Sequence, residues 1–390
     1  MSYVSPEPLI ELCRRFIAIP SVMQEERELA AFAAERMEAL GFTDVHLDEF
    51  GNVIGRVAGR GGGGKRLLLD AHIDTIGVPE PDKWRTDPFG GEVRDGRIYG
   101  RGAVDMKGAF AAMLMAGAML AGDRRALAGD LYVSGTVCEE LVEGPALGHV
   151  LAEVNPDWVV IGESTGLSLA IGQRGRAELR ITAHGQPAHS STPHLGVNAV
   201  EQMAVVMEQL RGLQLGADPL LGQAILALTA IISSPYPGQS VLPDRCFATY
   251  DRRLLVGETP TGVLGDVKRA IAAAGKGLQA TVELARADFL TYTGYHVERE
   301  CFAPAWKTDP EGPLVQGALT GLRKAGLNPS LTAYAFCTNG SESAGRLGIP
   351  TIGFGPGSEA QAHTVDEYLE LSQLTAAAAG YAGLARSLLA

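Results

Sequence analysis

The stretch that decides the fold is "LLLDAHIDT", residues 67–75. Three consecutive leucines predict a buried β-strand, yet Asp70, His72 and Asp74 follow at every second position. On an extended strand these three side chains point to the same face. A buried strand with three ionisable groups on one face needs partners for them, because unpaired buried charge is costly. The stretch therefore predicts a functional site at the end of a core strand.

Size and charge limit the kind of protein. At 390 residues the chain is long enough for two domains. Its 45 acidic and 33 basic residues give a net charge of -12. Binding to a nucleic-acid backbone requires a basic surface, so this balance argues against a nucleic-acid partner.

Cysteine usage and apolar runs indicate a cytoplasmic protein. The five cysteines are odd in number, widely scattered and without a C-x-x-C pair, which is typical of reduced thiols. The first twenty residues show no pattern of a secretory leader. The longest apolar run, residues 108–122, is shorter than the roughly 20 residues that span a bilayer, so we predict a buried helix and no membrane partner.

Strands and helices alternate through most of the chain. After 67–75, the segments "DLYVSGTVCEE", "DWVVIGE" and "IPTIGFG" read as further strands. Helical spacing covers residues 107–121, 144–153 and 312–325. This alternation predicts an α/β domain with a mixed sheet flanked by helices.

The middle of the chain follows a different order. Residues 174–293 read as strand, helix, two strands, helix, strand, which is the order of a small ferredoxin-like α+β unit. We therefore predict a discontinuous catalytic domain, residues 1–173 and 294–390, with an inserted lid or dimerisation domain at 174–293.

Acidic and histidine side chains recur at the ends of the apolar strands, where ligand sites gather in open α/β sheets. They are His72 and Asp74 in "AHID", Asp105 in "GRGAVDMKG", Glu139 and Glu140 in "VCEEL", Glu163 in "IGEST" and His363 in "QAHTVDE". Each alone is a weak signal, because a strand-end histidine is more often structural than a ligand. Groups at five strand ends are a stronger signal.

The donor types indicate a catalytic metal site. Two imidazoles and three carboxylates suit borderline or hard divalent ions, and zinc matches them well. Three carboxylates exceed what one tetrahedral zinc needs, which favours two metals that share a carboxylate and a water. Such pairs typically perform hydrolysis, and a spare glutamate could then act as the base.

These motifs carry a family resemblance. "HID", "GRGAVDMKG", "EE", "GEST" and "AHTVDE", with "GQPAHSSTPHLGVNAV" and "DRR" in the insert, resemble the superfamily of acetylornithine deacetylase, succinyl-diaminopimelate desuccinylase, aminoacylase and carboxypeptidase G. These are dinuclear zinc hydrolases with a zinc-exopeptidase-like catalytic domain. The resemblance covers nearly the whole chain in order. The segment "CTNGSESAGRLGIPTIGFGPG" is most similar to the selenium-metabolism-linked hydrolases of that superfamily.

The resemblance implies a ligand set for two ions. One ion would be held by His72, Asp105 and Glu163, and the other by Asp105, Glu140 and His363. Asp105 would bridge them.

It also implies roles for three neighbours of the ligands. Asp74 would orient the imidazole of His72, and Glu139 would be the general base and acid. A cis peptide bond is expected between Asp105 and Met106. For Asp70, we favour a structural role over a direct functional one.

Four residues are predicted to contact substrate. His189 resembles the family histidine that stabilises the oxyanion, in some members from a partner subunit. Asn198 and Arg253 match insert positions that bind the polar end and carboxylate of the substrate, and Asn339 is also predicted to bind substrate. The structural alternatives are a surface histidine and an arginine paired with Asp251.

The leading hypothesis is a cytoplasmic, homodimeric amidohydrolase with two zinc ions, or Co²⁺ or Mn²⁺ in their place. Its substrate would be an N-acyl amino acid or a small peptide, and the inserted domain would form the dimer. One alternative is a dipeptidase or aminopeptidase, in which an acidic group such as Glu342 binds the free amine. Another is a catalytically silent metal-binding regulatory protein. Departures from the family pattern at Ser240 and in "TNGSESA" leave the substrate undetermined.

Overall fold

The structure is a computed structural model that describes residues 6–60, 64–123, 127–275 and 277–390. The chain divides into two units. The first comprises Met1–Gln173, Asp288–Val297 and Trp306–Ala390, and the second comprises Arg174–Ala287 and Glu298–Ala305. From residue 287 onward the chain therefore passes between the units three times, at 287/288, 297/298 and 305/306, whereas the sequence predicts a single passage at 293/294.

The strands and helices are numbered along the chain. The strands are β1 (Thr43–Leu47), β2 (Val53–Val57), β3 (Arg66–His72), β4 (Glu92–Arg94), β5 (Arg97–Tyr99), β6 (Asp130–Thr136), β7 (Trp158–Ile161), β8 (Leu169–Gln173), β9 (Gly175–His184), β10 (Ala217–Asp218), β11 (Gly222–Gln223), β12 (Ile225–Ser234), β13 (Arg245–Leu254), β14 (Ala280–Leu284), β15 (Arg286–Leu290), β16 (His296–Glu300), β17 (Phe302–Ala303), β18 (Trp306–Lys307), β19 (Leu331–Tyr334), β20 (Thr351–Gly353) and β21 (Tyr368–Glu370). The helices are α1 (Pro6–Ala18), α2 (Arg27–Ala39), α3 (Gly108–Ala121), α4 (Pro145–Val154), α5 (Ala199–Arg211), α6 (Pro260–Ala273), α7 (Pro313–Lys324) and α8 (Leu371–Leu388). Short helical turns lie at Pro81–Lys83, Ala103–Lys107, Pro193–Leu195, Ser341–Arg346 and Glu359–Gln361.

The first unit is built on a mixed sheet, as the sequence predicts. Within the described residues the strand order is β1-β2-β6-β3-β7-β20-β8-β18, and β19 also pairs with β8. Strand β3 lies inside this sheet, parallel to β6 and β7. It is buried from Leu67 to His72 because it has a neighbour on each side and packed layers on both faces.

The common direction of three strands determines where the candidate site lies. β3, β6 and β7 run in the same direction, so their carboxyl ends meet at one edge of the sheet. His72 ends β3, while Glu139 and Glu163 follow β6 and β7 within three residues. The sheet therefore brings together side chains that are far apart in the sequence.

The apolar run predicted to be a core helix forms α3 and is buried over most of its length. In the described part of the chain, one helical stretch, Ala103–Ala121, is long and apolar enough to cross a membrane, and 78% of it is buried inside the structure. Such burial is what a core helix shows. Close packing of α7 on α8 requires glycine, because a Cβ on Gly321 would lie 2.4 Å from the carbonyl oxygen of Gly383.

The second unit has the predicted order of elements, β9, α5, β12, β13, α6 and β14. Its antiparallel strands lie in the order β12-β13-β9-β14. Leu179 and Ile181 of β9 pack in one core with Met203 of α5 and Val267 of α6. Strand β12 is at the edge of the sheet.

Candidate metal centre

The centre of the site is the carboxylate of Asp105, which lies between two histidines. Its Oδ1 is 2.9 Å from Nε2 of His72, and its Oδ2 is 3.2 Å from Nε2 of His363. Asp105 reaches this place on the irregular turn Ala103–Lys107, where its backbone (φ −125°, ψ 88°) is not helical. The cis peptide bond expected between Asp105 and Met106 is present. One oxygen of the Asp105 carboxylate therefore faces each imidazole.

Two glutamates complete the cluster. Oε1 of Glu163 is 3.5 Å from Nε2 of His72, and Oε1 of Glu140 is 3.0 Å from Nε2 of His363. Two sets of three donor atoms lie within 4.8 Å of one another: His72, Asp105 and Glu140, and His72, Glu139 and Glu163. These sets differ from the implied ligand groups, because Glu139 enters one and His363 neither. The histidine contacts nevertheless join each imidazole to the two carboxylates of its implied group.

Asp74 makes different contacts from those expected. Nδ1 of His72 lies 3.0 Å from the backbone oxygen of Asp74 and 3.6 Å from its carboxylate. The buried carboxylate instead accepts the backbone N–H groups of Glu139 at 3.1 Å and Glu140 at 3.0 Å. Asp74 therefore orients the imidazole of His72 mainly through its backbone oxygen. Its side chain holds the turn that carries Glu139 and Glu140.

Glu139 is poised differently from the other carboxylates. It is 7% exposed, and its Oε1 accepts no hydrogen bond from any residue that the structure describes. Burial raises the pKa of Glu139 well above its usual range, and the negative charge of Glu163 adds to the effect. A buried carboxylate with a raised pKa and an unpartnered oxygen is suited to accept and return a proton.

The cluster holds protons tightly. Burial would lower the pKa of His72, but its contacts with Asp105, Asp74 and Glu163 raise it well above the usual range. Hydrogen bonds to Asp105 and Glu140 raise the pKa of His363 to about 10. Burial and the charge of Asp105 raise the pKa of Glu163 to about 7. The raised pKa of both imidazoles shows that the surrounding carboxylates favour positive charge here.

This donor set fits divalent metal ions. Two imidazoles and three carboxylates converge on one edge of the sheet, and cysteine is absent from the set, as in catalytic rather than structural zinc sites. Because metal ligands bind in their deprotonated form, a metal ion in this site would displace protons from these side chains.

Comparison with known proteins identifies the family of the chain. Residues 68–387 match the model of "Peptidase family M20/M25/M40". The chain belongs to this family. It is therefore a metal-dependent hydrolase, and the predicted superfamily is confirmed; the selenium-linked subgroup stays a prediction.

Relatives cover nearly the whole chain. "Uncharacterized protein YgeY" of Escherichia coli (strain K12) is 36% identical over 382 residues, which are 97% of this chain and 93% of that protein. Succinyl-diaminopimelate desuccinylase of Bordetella petrii is 27% identical over 384 residues, 94% of each chain. The crystal structure of aminopeptidase PepT from Bacillus cereus has a TM-score of 0.76 at 20% identity and covers 99% of both chains, so it shares the fold.

Two buried polar residues beside the M20 site have structural contacts. Asp70 accepts hydrogen bonds from Ser134 Oγ at 2.6 Å and Asn339 Nδ2 at 3.2 Å, in keeping with its predicted structural role. Asn339 is 2% exposed, donates also to Thr136 Oγ1 and accepts the N–H of Gly144 at 2.8 Å. Its amide is committed to the interior, which argues against the predicted substrate-binding role.

His189 lies in the second unit and is exposed. Its Nδ1 accepts the backbone N–H of Ser191 at 3.1 Å and lies 2.7 Å from the Ser191 hydroxyl. Because a backbone N–H can only donate, the proton of the neutral ring is on Nε2. This tautomer presents a hydrogen-bond donor, as a histidine that stabilises an oxyanion must.

The other two predicted substrate ligands have structural partners. Oδ1 of Asn198 accepts the N–H of Val200 at 3.0 Å and caps α5. Arg253 pairs with Asp251 at 2.8 Å, which is the structural alternative that the sequence left open. These contacts occupy part of each polar group, and the substrate roles stay predictions.

Sequence reasoning missed Glu26. This fully buried side chain accepts the backbone N–H groups of Gln24 at 3.0 Å and Cys138 at 3.1 Å. Burial and nearby Asp74 raise its pKa to about 7. Cys138 precedes Glu139, so Glu26 helps to hold the same turn as Asp74. Glu26 lies in the charged run "QEERE", which gives no signal that one glutamate is buried.

Proposed function

We propose that this M20 protein is a dinuclear metal-dependent amidohydrolase that cleaves an N-acyl amino acid or a small peptide. The observation that supports this most is the Asp105 carboxylate with one oxygen on each histidine, beside the buried Glu139. A catalytically silent regulatory protein is disfavoured, because every implied ligand and the base converge within one unit.

The implied ligand groups follow the histidine contacts. His72, Asp105 and Glu163 would hold one ion, and Asp105, Glu140 and His363 the other, with Zn²⁺ favoured by the imidazole and carboxylate donors. Two divalent ions in this site would lower the pKa of a shared water and polarise the substrate carbonyl.

Glu139 would move the proton. Its unpartnered Oε1 would take a proton from the attacking water and return it to the leaving nitrogen. Asp74 and Glu26 would keep the turn of Glu139 in place through backbone hydrogen bonds. His189 would donate from Nε2 to the oxyanion, a role supported by its Nδ1, which already accepts the N–H of Ser191.

The choice between acyl amino acids and free-amine substrates depends on an acidic group for the amine. The proposed group, Glu342, is 7% exposed and accepts a hydrogen bond from Arg346 Nε at 3.1 Å. Its charge is therefore already paired, which disfavours the aminopeptidase alternative. The relative whose name describes removal of a succinyl group supports an N-acyl substrate.

A substrate panel tests this assignment. Purified protein loaded with zinc is assayed against N-acetyl and N-succinyl amino acids, dipeptides and amino-acid anilides. We expect hydrolysis of at least one N-acyl series, with blocked amines preferred over free amines, because the acidic group proposed for the amine, Glu342, is already paired with Arg346. Turnover of free-amine peptides alone would instead establish the dipeptidase or aminopeptidase alternative.

We also propose a cytoplasmic homodimer that forms through β12. The cysteines that the structure describes form no disulfide with one another, which suits a reducing compartment. β12 is an edge strand with exposed apolar side chains, among them Ile225 and Ile231, and Ile232 is 56% exposed. Such an edge is a ready template for pairing with a second chain.

Light scattering tests the dimer. Wild-type protein should have the mass of two chains. Ile232→Lys should shift the mass toward that of the monomer, because dimer formation would bury the charge of the new lysine. Val256→Lys, at a site that is 50% exposed in the same unit, is the matched control and should leave the mass unchanged. A monomeric wild type, or a dimeric Ile232→Lys protein, would refute this interface.

A further inference from the structure

Two ligand-bearing segments that are far apart in the sequence are joined by one buried ion pair. Arg101 precedes the turn that carries Asp105, and Glu367 follows His363 by four residues. Nη1 of Arg101 donates to Oε2 of Glu367 at 2.6 Å, and the two side chains are 1% and 0% exposed. The pair thus lies fully inside the first unit, between the segments that supply two proposed ligands.

Glu367 also holds the backbone of the Asp105 turn. Its Oε1 accepts the N–H groups of Val104 at 2.8 Å and Asp105 at 3.2 Å, and its Oε2 accepts the N–H of Gly102 at 3.1 Å. With Arg101, four donors converge on one carboxylate. The turn has no regular helical pattern to fix it, because the backbone of Asp105 is not helical and Gly102 has φ +80°.

Arg101 also contacts the segment that carries His363. Its Nη2 lies 3.4 Å from the backbone oxygen of Thr364, the residue after His363. His363 itself has φ +61°, a left-handed conformation that a non-glycine residue adopts only where its surroundings fix it. The backbone oxygen of Glu367 also accepts the N–H of Gly100 at 2.9 Å. The ion pair and its neighbours therefore fix both segments relative to each other.

We propose that Arg101 and Glu367 form a positioning clamp that sets the separation of Asp105 and His363, and with it the affinity of the metal site that these two would share. The inference rests on the proposed function, in which both side chains are ligands. Buried ion pairs seldom add net stability, but they can fix one arrangement against others. Partners that orient metal ligands typically change metal affinity 10- to 100-fold when they are removed.

The test variant is Glu367→Gln. The amide keeps the size of the side chain, but it replaces one acceptor oxygen with an NH₂ group that faces N–H donors and leaves the buried Arg101 without its counter-charge. The matched control is Glu370→Gln. Glu370 of β21 accepts from Arg97 Nε of β5 at 2.8 Å, so this pair joins the two strands that adjoin Glu367 and Arg101, but both of its side chains are more than a third exposed.

The first readout is metal retention. Zinc-loaded proteins are dialysed against graded concentrations of a chelator, and the zinc per chain is measured. Glu367→Gln is expected to release one of its two ions at least about 10-fold more readily than wild type, while Glu370→Gln matches wild type. Turnover of Glu367→Gln should fall at limiting zinc and recover in excess zinc, with an unchanged KM.

The second readout does not depend on metal. In the metal-free protein, amide hydrogen exchange across residues 102–105 should be faster in Glu367→Gln than in the control. The N–H groups of Gly102, Val104 and Asp105 would no longer donate to a charged carboxylate. Equal exchange and equal zinc retention in the two variants would overturn the clamp. If wild type binds no zinc, the proposed function fails, and the exchange comparison still decides whether Glu367 fixes the turn.

A second variant guards against misfolding of the first. Arg101→Lys keeps the charge beside Glu367 but cannot reach Glu367 and Thr364 together. It should also weaken the retention of one ion while the other remains. If Glu367→Gln is insoluble and Arg101→Lys retains both ions as tightly as wild type, the clamp is refuted.

Discussion

Glu139→Gln is expected to keep its metal ions and to lose turnover by about 100- to 10,000-fold, the usual contribution of a general base. The amide fills the same buried space but cannot take a proton from water. The turn of Glu139 should persist, because Asp74 and Glu26 hold it through backbone N–H groups that the substitution leaves in place. The measurement is the metal content and kcat of the same preparation.

Glu153→Gln is the control for this change. It removes the same charge from a half-exposed side chain that pairs with His46 on the surface. It should leave both metal content and kcat unchanged. A metal-loaded Glu139→Gln protein with near-normal turnover would show that another group moves the proton.

Loss of either histidine should remove metal. His72→Ala takes away the imidazole that contacts Asp105 and Glu163, and His363→Ala takes away the one that contacts Asp105 and Glu140. Each change removes one of three proposed donors and leaves two carboxylates that repel each other. We expect each variant to hold at most one ion per chain and to lose nearly all turnover.

Elemental analysis of dialysed protein measures this effect. His46→Ala is the control, because His46 is a partly exposed histidine of the same unit that pairs with Glu153. It should retain the full metal content of wild type. Two tightly held ions in both His72→Ala and His363→Ala would refute the ligand assignment.

The sequence predicts the strands of the fold and the meeting of their polar ends because both follow from simple periodicity, whereas the ligand set with Asp105 and His363 is what the family resemblance implies. Apolar runs such as 67–69 identify the buried strands, and parallel strands of one sheet must end at the same edge. Polar side chains after several such strands therefore had to meet, as His72, Glu139 and Glu163 do. The order of elements in the second unit follows from the same reasoning.

Contacts that depend on packing could not be predicted. The sequence separation of His72 and Asp74 does not show that the carboxylate of Asp74 turns to the backbone of Glu139 and Glu140. Asn339 is buried against Asp70 and Thr136, a contact between segments that local pattern does not relate. The sequence therefore could not show that the side-chain amide of Asn339 is already hydrogen-bonded inside the protein, which argues against a substrate-binding role.

Long-range ion pairs are equally hidden. Arg101 and Glu367 both lie in motifs that the sequence marks as important, "GRGAVDMKG" and "QAHTVDE". They are 266 residues apart, and either could have been a solvated surface charge. Only the pairing of β5 with β21 places them side by side in the interior.

The central claim is that the Asp105 cluster makes this chain a hydrolase through bound metal. The most direct measurement is to strip wild-type protein with a chelator, to add zinc in steps, and to follow both bound zinc and hydrolysis of the best N-acyl substrate. The account predicts no turnover without metal and full turnover at two ions per chain. Full turnover in the metal-free protein would contradict it.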